Sequence, residues 1–189
     1  MSTLKRFDPV KLVAGFFVAD KRLAAPFLEA AQKRFGPIDL LSPWFVFDQT
    51  RYYEKETGWP LFRRMVSFAK LVWPEFLVDA KLWAQEIEQS FLSENGARQV
   101  NVDPGYLAAE RFVLATGKNF VHRIALTKGV YADLTLIYSG RSFQSLPWTY
   151  PDYAGKDIQG FLGQVRKKYF FDIQHGAAAA DNPVGPLPQ

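Results

Sequence analysis

The sequence predicts an α+β fold, a mainly antiparallel twisted sheet with helices packed on it. Three observations predict it. Residues 11–18 (KLVAGFFV) are a nearly unbroken apolar run, as a central strand covered on both faces requires. Residues 121–127 and 131–138 alternate polar and apolar side chains, the period of a strand with one buried face. Three further segments repeat apolar residues at helical spacing. At 189 residues and 48% hydrophobic, the chain suits a single domain with a sizeable core. That domain is expected over residues 1–174. Residues 175–189 have little to bury and read as a flexible tail.

Taken in order, the strand over 11–18 leads into a helix over 23–35. Leu23, Phe27, Leu28, Ala31 and Phe35 form its inner stripe, and Gly36-Pro37 supplies the stop. Residues 38–47 read as a second strand, interrupted or bent at Pro43. This strand–helix–strand opening suggests a sheet that is ferredoxin-like in part. Residues 48–60 (DQTRYYEKETGWP) read as a polar, aromatic loop of the kind that often carries function. Residues 62–68 read as another strand, with Arg63 and Met65 alternating against Arg64 and Val66. Pro74 sits well at a helix start, followed by a stripe of Phe76, Ala80, Trp83, Ala84, Ile87 and Phe91.

Residues 98–102 read as a strand that ends in a rigid turn at Asp103-Pro104-Gly105, where proline fixes one central torsion and glycine accepts positive φ. Residues 107–116 fit either a short helix or a strand. The next two strands form a hairpin. A three-residue loop of Lys128, Gly129 and Val130 pairs Ala125 with Asp133 and Ile124 with Leu134, so apolar meets apolar. That register expects Ile124, Leu126, Leu134 and Leu136 in the core and an Arg123–Asp133 salt bridge on the polar face. A last helix over 156–171 buries Ile158, Phe161, Leu162, Val165 and Tyr169.

Composition excludes several functions. The chain has no cysteine, so disulfides, thiolate metal sites and cysteine nucleophiles are ruled out. No metal-ligand motif stands out, and the sequence names no cofactor. A net charge of +4 permits anionic ligands but falls short of a dedicated nucleic-acid face. No signal-peptide layout and no membrane-spanning apolar run are apparent, so a soluble cytoplasmic protein without membrane contact is expected. Thr116-Gly117-Lys118 ends like a phosphate loop but lacks the upstream glycine and the following hydroxyl, and reads as a turn.

The candidate chemistry is a convergence of polar residues near strand ends and loops. Asp103 and His122 are the candidate catalytic groups. Asp48, Tyr52, Arg64, Tyr106, Lys118 and Tyr131 are the candidate ligand contacts. Sharing one cleft, their cations and tyrosine hydroxyls would hold an anion while a carboxylate or histidine moves a proton. His122 has two readings: general acid or base, or a satisfied core histidine beside Ile124 and Leu126. The Trp148-Thr149-Tyr150-Pro151-Asp152-Tyr153 run is read as a lid on the core in preference to a base-stacking surface. The resulting expectation is a small anionic-ligand or nucleotide-related binding protein. An RNA-binding module and a protein-interaction domain are the alternatives.

Several ordered motifs also carry a resemblance. They include Phe35-Gly36-Pro37-Ile38-Asp39, Phe47-Asp48, Tyr52-Tyr53 and Met65-Val66-Ser67-Phe68. Farther on come Asn101-Val102-Asp103-Pro104-Gly105-Tyr106-Leu107, Leu114-Ala115-Thr116-Gly117-Lys118, His122-Arg123-Ile124 and Gly129-Val130-Tyr131-Ala132-Asp133-Leu134-Thr135-Leu136. Together with Pro147-Trp148-Thr149-Tyr150-Pro151-Asp152-Tyr153 they make the chain resemble the DUF4416 family of uncharacterised prokaryotic proteins, from about residue 11 to about residue 169. Asp133 departs from the glutamate expected there. The resemblance implies no activity.

Overall fold

Strand β1 (Val10–Val18) is buried along its whole length, and the rest of the molecule is laid down around it. A computed structural model describes residues 3–47, 61–177 and 179. The other elements are α1 (Ala24–Phe35), β2 (Ile38–Leu41), β3 (Phe45–Phe47), β4 (Leu61–Val72), α2 (Phe76–Ser90), β5 (Val100–Leu107), β6 (Arg111–Thr116), β7 (Arg123–Ala125), β8 (Tyr131–Ser139), β9 (Ser142–Ser145) and α3 (Lys156–Gln174). The strands form one sheet in the order β2-β4-β1-β5-β6-β8-β7, with β3 also on β4 and β9 also on β8. Every pairing is antiparallel. The α+β class holds.

The first half reproduces the split arrangement that the opening suggests. β1 and β2 run parallel with α1 crossing between them, β4 inserts between the two, and β5 returns on the free side of β1 after α2. β6, β8 and the short β7 and β9 extend this unit. The interruption at Pro43 is real: β2 and β3 are separate pieces that share the outer edge of β4. The loop expected over residues 48–60 lies outside the described residues.

Alternation along β1 divides the core. Val10, Leu12, Ala14, Phe16 and Val18 face α1 and α2, where Phe27, Phe35, Phe76 and Trp83 pack against them. Lys11, Val13, Gly15 and Phe17 face the other way. On that second face α3 lays Ile158, Phe161, Leu162, Val165 and Tyr169 against Met65, Leu107, Phe112 and Leu136. These five α3 residues are the ones that the helical spacing selects. Gly36 ends α1 at φ 90°, a left-handed torsion that suits glycine.

Asp103-Pro104-Gly105 is not a turn; β5 runs straight through it. Two constraints explain this. Val102 N–H points away from β1, to Glu88 Oε1 at 2.7 Å, so Pro104, two residues on, points its missing donor at the same edge, where β6 does not reach. Gly105 is required for close approach, since a Cβ there would lie 2.6 Å from the Val113 carbonyl oxygen. Residues 107–116 resolve as a turn and β6, a strand. Both the apparent turn signal and the ambiguity are settled by neighbouring strands.

The 123–133 hairpin also departs from expectation. Arg123 stands directly opposite Asp133, and Ala125 opposite Tyr131, two residues from the expected register. The grouping survives, with Arg123 and Asp133 sharing one face. The covered face is reversed: Ile124 is 69% exposed and Leu126 43%, whereas the Arg123 and Asp133 side chains are 8% and 2% exposed. α2 reaches Val113, Ala115, Val130 and Leu134 but not β7, so the apolar side of this outermost strand stays uncovered. Leu134 and Leu136 also part company. The register steps between Val113↔Leu134 and Phe112↔Leu136, leaving Thr135 as an extra, fully buried residue. The bulge turns Leu136 to the α3 side.

Among the described residues, no helix is long and apolar enough to cross a membrane. Most of the expected tail lies outside the described residues; Ala179 bridges in parallel to Leu71.

Candidate functional site

A strip of polar side chains runs across the α3 face of the sheet, beneath the chain segment that leads from β9 into α3. Its centre is Gly15. Met65 and Asp103 stand opposite Gly15 on the two flanking strands, and Arg63 stands opposite the next same-face residue, Phe17. A Cβ on Gly15 would lie 2.8 Å from Arg63 Nη2, 3.1 Å from Met65 Sδ and 3.1 Å from Tyr153 Oη. Glycine inside a strand often marks such close approach. Here it lets the Arg63 guanidinium lie across β1.

Arg63 is 1% exposed. Its guanidinium carbon lies 4.5 Å from the Phe17 ring centre and 4.2 Å from that of Tyr153, cation–π contacts that fix its plane. Nη1 pairs with Asp152. Among the described residues, none of the three guanidinium nitrogens makes a hydrogen bond of regular geometry, nor does the Tyr153 hydroxyl, which lies within reach of Arg63; Nε and Nη2 form the side-on fork. Burial keeps the Tyr153 phenol protonated well above its usual range. The positive charge of Arg63 and a hydrogen bond with it pull against this shift, and the negative charge of Asp103 adds to it.

Farther along the strip Asp133 collects three donors. His122 Nε2 lies 3.2 Å and Arg123 Nε 2.9 Å from its Oδ2, and Thr135 Oγ1 donates to Oδ1 at 3.3 Å. Arg123 also donates to the Tyr150 hydroxyl and to the Lys118 carbonyl, the latter at 2.8 Å. His122 is stacked on Trp148 at 4.9 Å, and its buried Nδ1 has no hydrogen-bond partner among the described residues. Burial raises the Tyr150 phenol; Arg123 opposes the shift, and Asp133 and Asp103 reinforce it. Asp103 therefore acts on both tyrosines and joins the two halves of the strip.

The covering segment is fastened where β8 has a gap on its outer edge. β7 pairs with Tyr131 to Asp133, and β9 starts at Leu136. Between them, Trp148 Nε1 donates to the Leu134 carbonyl at 2.8 Å and Thr149 Oγ1 to that of Thr135 at 2.6 Å. This is the packing role expected of the aromatic-proline run. Trp148 is spoken for on one ring face and at its N–H.

The structure divides the residues proposed from sequence. Asp103 and Tyr131 lie on the α3 face, and the His122 ring reaches Asp133 there. Lys118 is exposed on the connection from β6 to β7, its N–H on Thr116 Oγ1. Arg64 and Tyr106 are on the opposite face. Arg64 donates to the Ser42 carbonyl at 2.8 Å and lies over Trp44, and Tyr106 packs against Leu77 and Val78. Asp48 and Tyr52 lie outside the described residues. Sequence reasoning missed Arg63, Gly15, Asp152 and Tyr153. The available signal was Gly15 inside an apolar strand, together with an arginine on each face of β4.

A second buried polar group sits at the other end of this face. Lys11, fully buried, pairs with Asp39 and Asp172, and Lys168 joins Asp172. Its charges balance, and it ties α3 to β1 and β2. Among the described residues, no group of three or more histidines or carboxylates is placed to hold a metal ion.

The family model for a domain of unknown function, DUF4416, matches residues 8–169. The chain belongs to the DUF4416 family. No curated protein and no solved structure matches it. The DUF4416 match takes in every strand and ends within α3, so both halves of the polar strip fall inside the family's span.

Proposed function

We propose that this DUF4416 chain binds a small ligand through an anionic group, a carboxylate or a phosphate such as a nucleotide carries. The observation that supports this is the side-on fork of Arg63. A buried donor without a partner costs about 1–3 kcal/mol; among the described residues Nε and Nη2 have none of regular geometry, and the Tyr153 hydroxyl beside them keeps a proton to donate. A planar, two-oxygen anion satisfies the fork in a bidentate manner and takes the hydroxyl as a third donor. The small-ligand reading gains further support over RNA, because Trp148 and Tyr150, the aromatics that would stack on bases, are engaged by His122, Leu134 and Arg123.

The test is Tyr153→Phe. Removing this buried hydroxyl changes the stability of the unliganded fold by about 1 kcal/mol or less. It also weakens binding of propionate or ethyl phosphate, measured by calorimetric titration. Binding equal to wild type would overturn the proposal, as would a wild-type chain that binds neither these anions nor their amine-bearing analogues.

A further inference from the structure

Across Gly15 from Arg63 lies Asp103, and the two do not pair. Their strands flank β1 on either side, which sets their backbones about 10 Å apart at ordinary strand spacing. Asp103 is half-buried, and among the described residues its carboxylate accepts one side-chain hydrogen bond, from the Asn101 amide at 3.3 Å. No cation pairs with it among the described residues. Every other carboxylate of the strip is engaged, Asp152 by Arg63 and Asp133 by Arg123 and His122.

The charges are therefore uneven. Arg63 and Arg123 are each paired with a carboxylate, Asp152 and Asp133, and Asp103 is left without a cation among the described residues. A bare anion entering beside Arg63 satisfies the fork but meets Asp103, a like charge that disfavours it. A ligand that also carries an ammonium or amino N–H toward Asp103 removes that repulsion and gains a charge-assisted hydrogen bond.

Building on the Arg63 reading, we infer that the ligand is amphoteric, with an anionic group for the Arg63 fork and a nitrogen donor a few bonds away for Asp103. The full chain is titrated at constant ionic strength with two matched pairs, propionate against β-alanine and ethyl phosphate against phosphoethanolamine. The amine-bearing member of a pair binds at least tenfold more tightly, and the pair with the larger response identifies the anionic group. Asp103→Asn, an isosteric change, abolishes the preference and strengthens binding of the bare anion. Equal or tighter binding of the bare anions to wild type overturns this inference while the anion site stands. An amine preference that survives in Asp103→Asn also overturns it. If none of the four probes binds, the anion site itself fails, and this inference with it.

Discussion

Substituting Gly15 by alanine isolates the contact on which the candidate site rests. The backbone there is extended and its φ is not in the left-handed region, so alanine meets no torsional strain. On backbone entropy alone the change would stabilise by about 0.4–1 kcal/mol. The new methyl, however, would stand 2.8 Å from Arg63 Nη2, with Met65 Sδ and Tyr153 Oη each at 3.1 Å. The guanidinium lies between two rings and is tied to Asp152, so it cannot withdraw without losing those contacts. Overpacking of this kind costs about 1–3 kcal/mol. With a urea dependence of about 2 kcal/mol per molar, the unfolding midpoint falls by about 0.5–1.5 M. Gly117→Ala is the control, because nothing lies within 4 Å of a Cβ there; its midpoint stays at wild type or above. A Gly15→Ala midpoint equal to the control's would refute the placement of Arg63 against β1.

Three other outcomes are expected. Gly105→Ala is more damaging than Gly15→Ala, by about 3 kcal/mol or more, because the obstacle at 2.6 Å is the Val113 backbone carbonyl; a milder loss in urea unfolding would contradict the close β5–β6 approach. Burial raises the Glu88 carboxyl above its ordinary value of 4.5, against the pull of Val102 N–H, Lys81 and Arg98. Its stabilising contribution is therefore complete below that value and drains as pH rises through the raised one, so Glu88→Gln gains on wild type as pH rises above 4.5; a difference that does not change with pH would count against this. For Asp172, burial pushes the carboxyl up, but hydrogen bonds from Lys11 and Lys168 hold it below its ordinary 3.8. That contribution is present above 3.8 and lost as pH falls through the lowered value. Asp172→Asn leaves fully buried Lys11 with one carboxylate, Asp39, and the Ala69 carbonyl and costs about 3 kcal/mol at pH 7, a gap that narrows in acid; a constant gap would contradict the pairing.

How much of this was legible in the sequence follows from what each pattern reports. Helical spacing gave the inner face of α3 residue by residue, because a helix is covered by whatever its own stripe meets. Period-two alternation grouped Arg123 with Asp133 correctly but could not say which face is covered, since that depends on how far α2 reaches across the sheet. The bulge at Thr135 then separated Leu134 from Leu136, a change that no local propensity announces. Asp103-Pro104-Gly105 has every local feature of a turn, and β5 runs through it because Pro104 falls on an unpaired edge and Gly105 on a close contact. For the site, Asp103 and His122 were chosen for their chemistry and lie on the polar strip. The sequence points to Arg64, and Arg63, one residue before it, lies on the opposite face of the strand.

The most direct measurement of the central claim is the NMR signal of the Arg63 Nε–H during titration with phosphoethanolamine. A side-on fork that holds an anion gives a resolved, slowly exchanging Nε–H that shifts saturably in the wild-type chain and needs a higher ligand concentration to do so in Tyr153→Phe. An Arg63 signal that stays unmoved while other resonances report binding would place the ligand elsewhere and contradict the account.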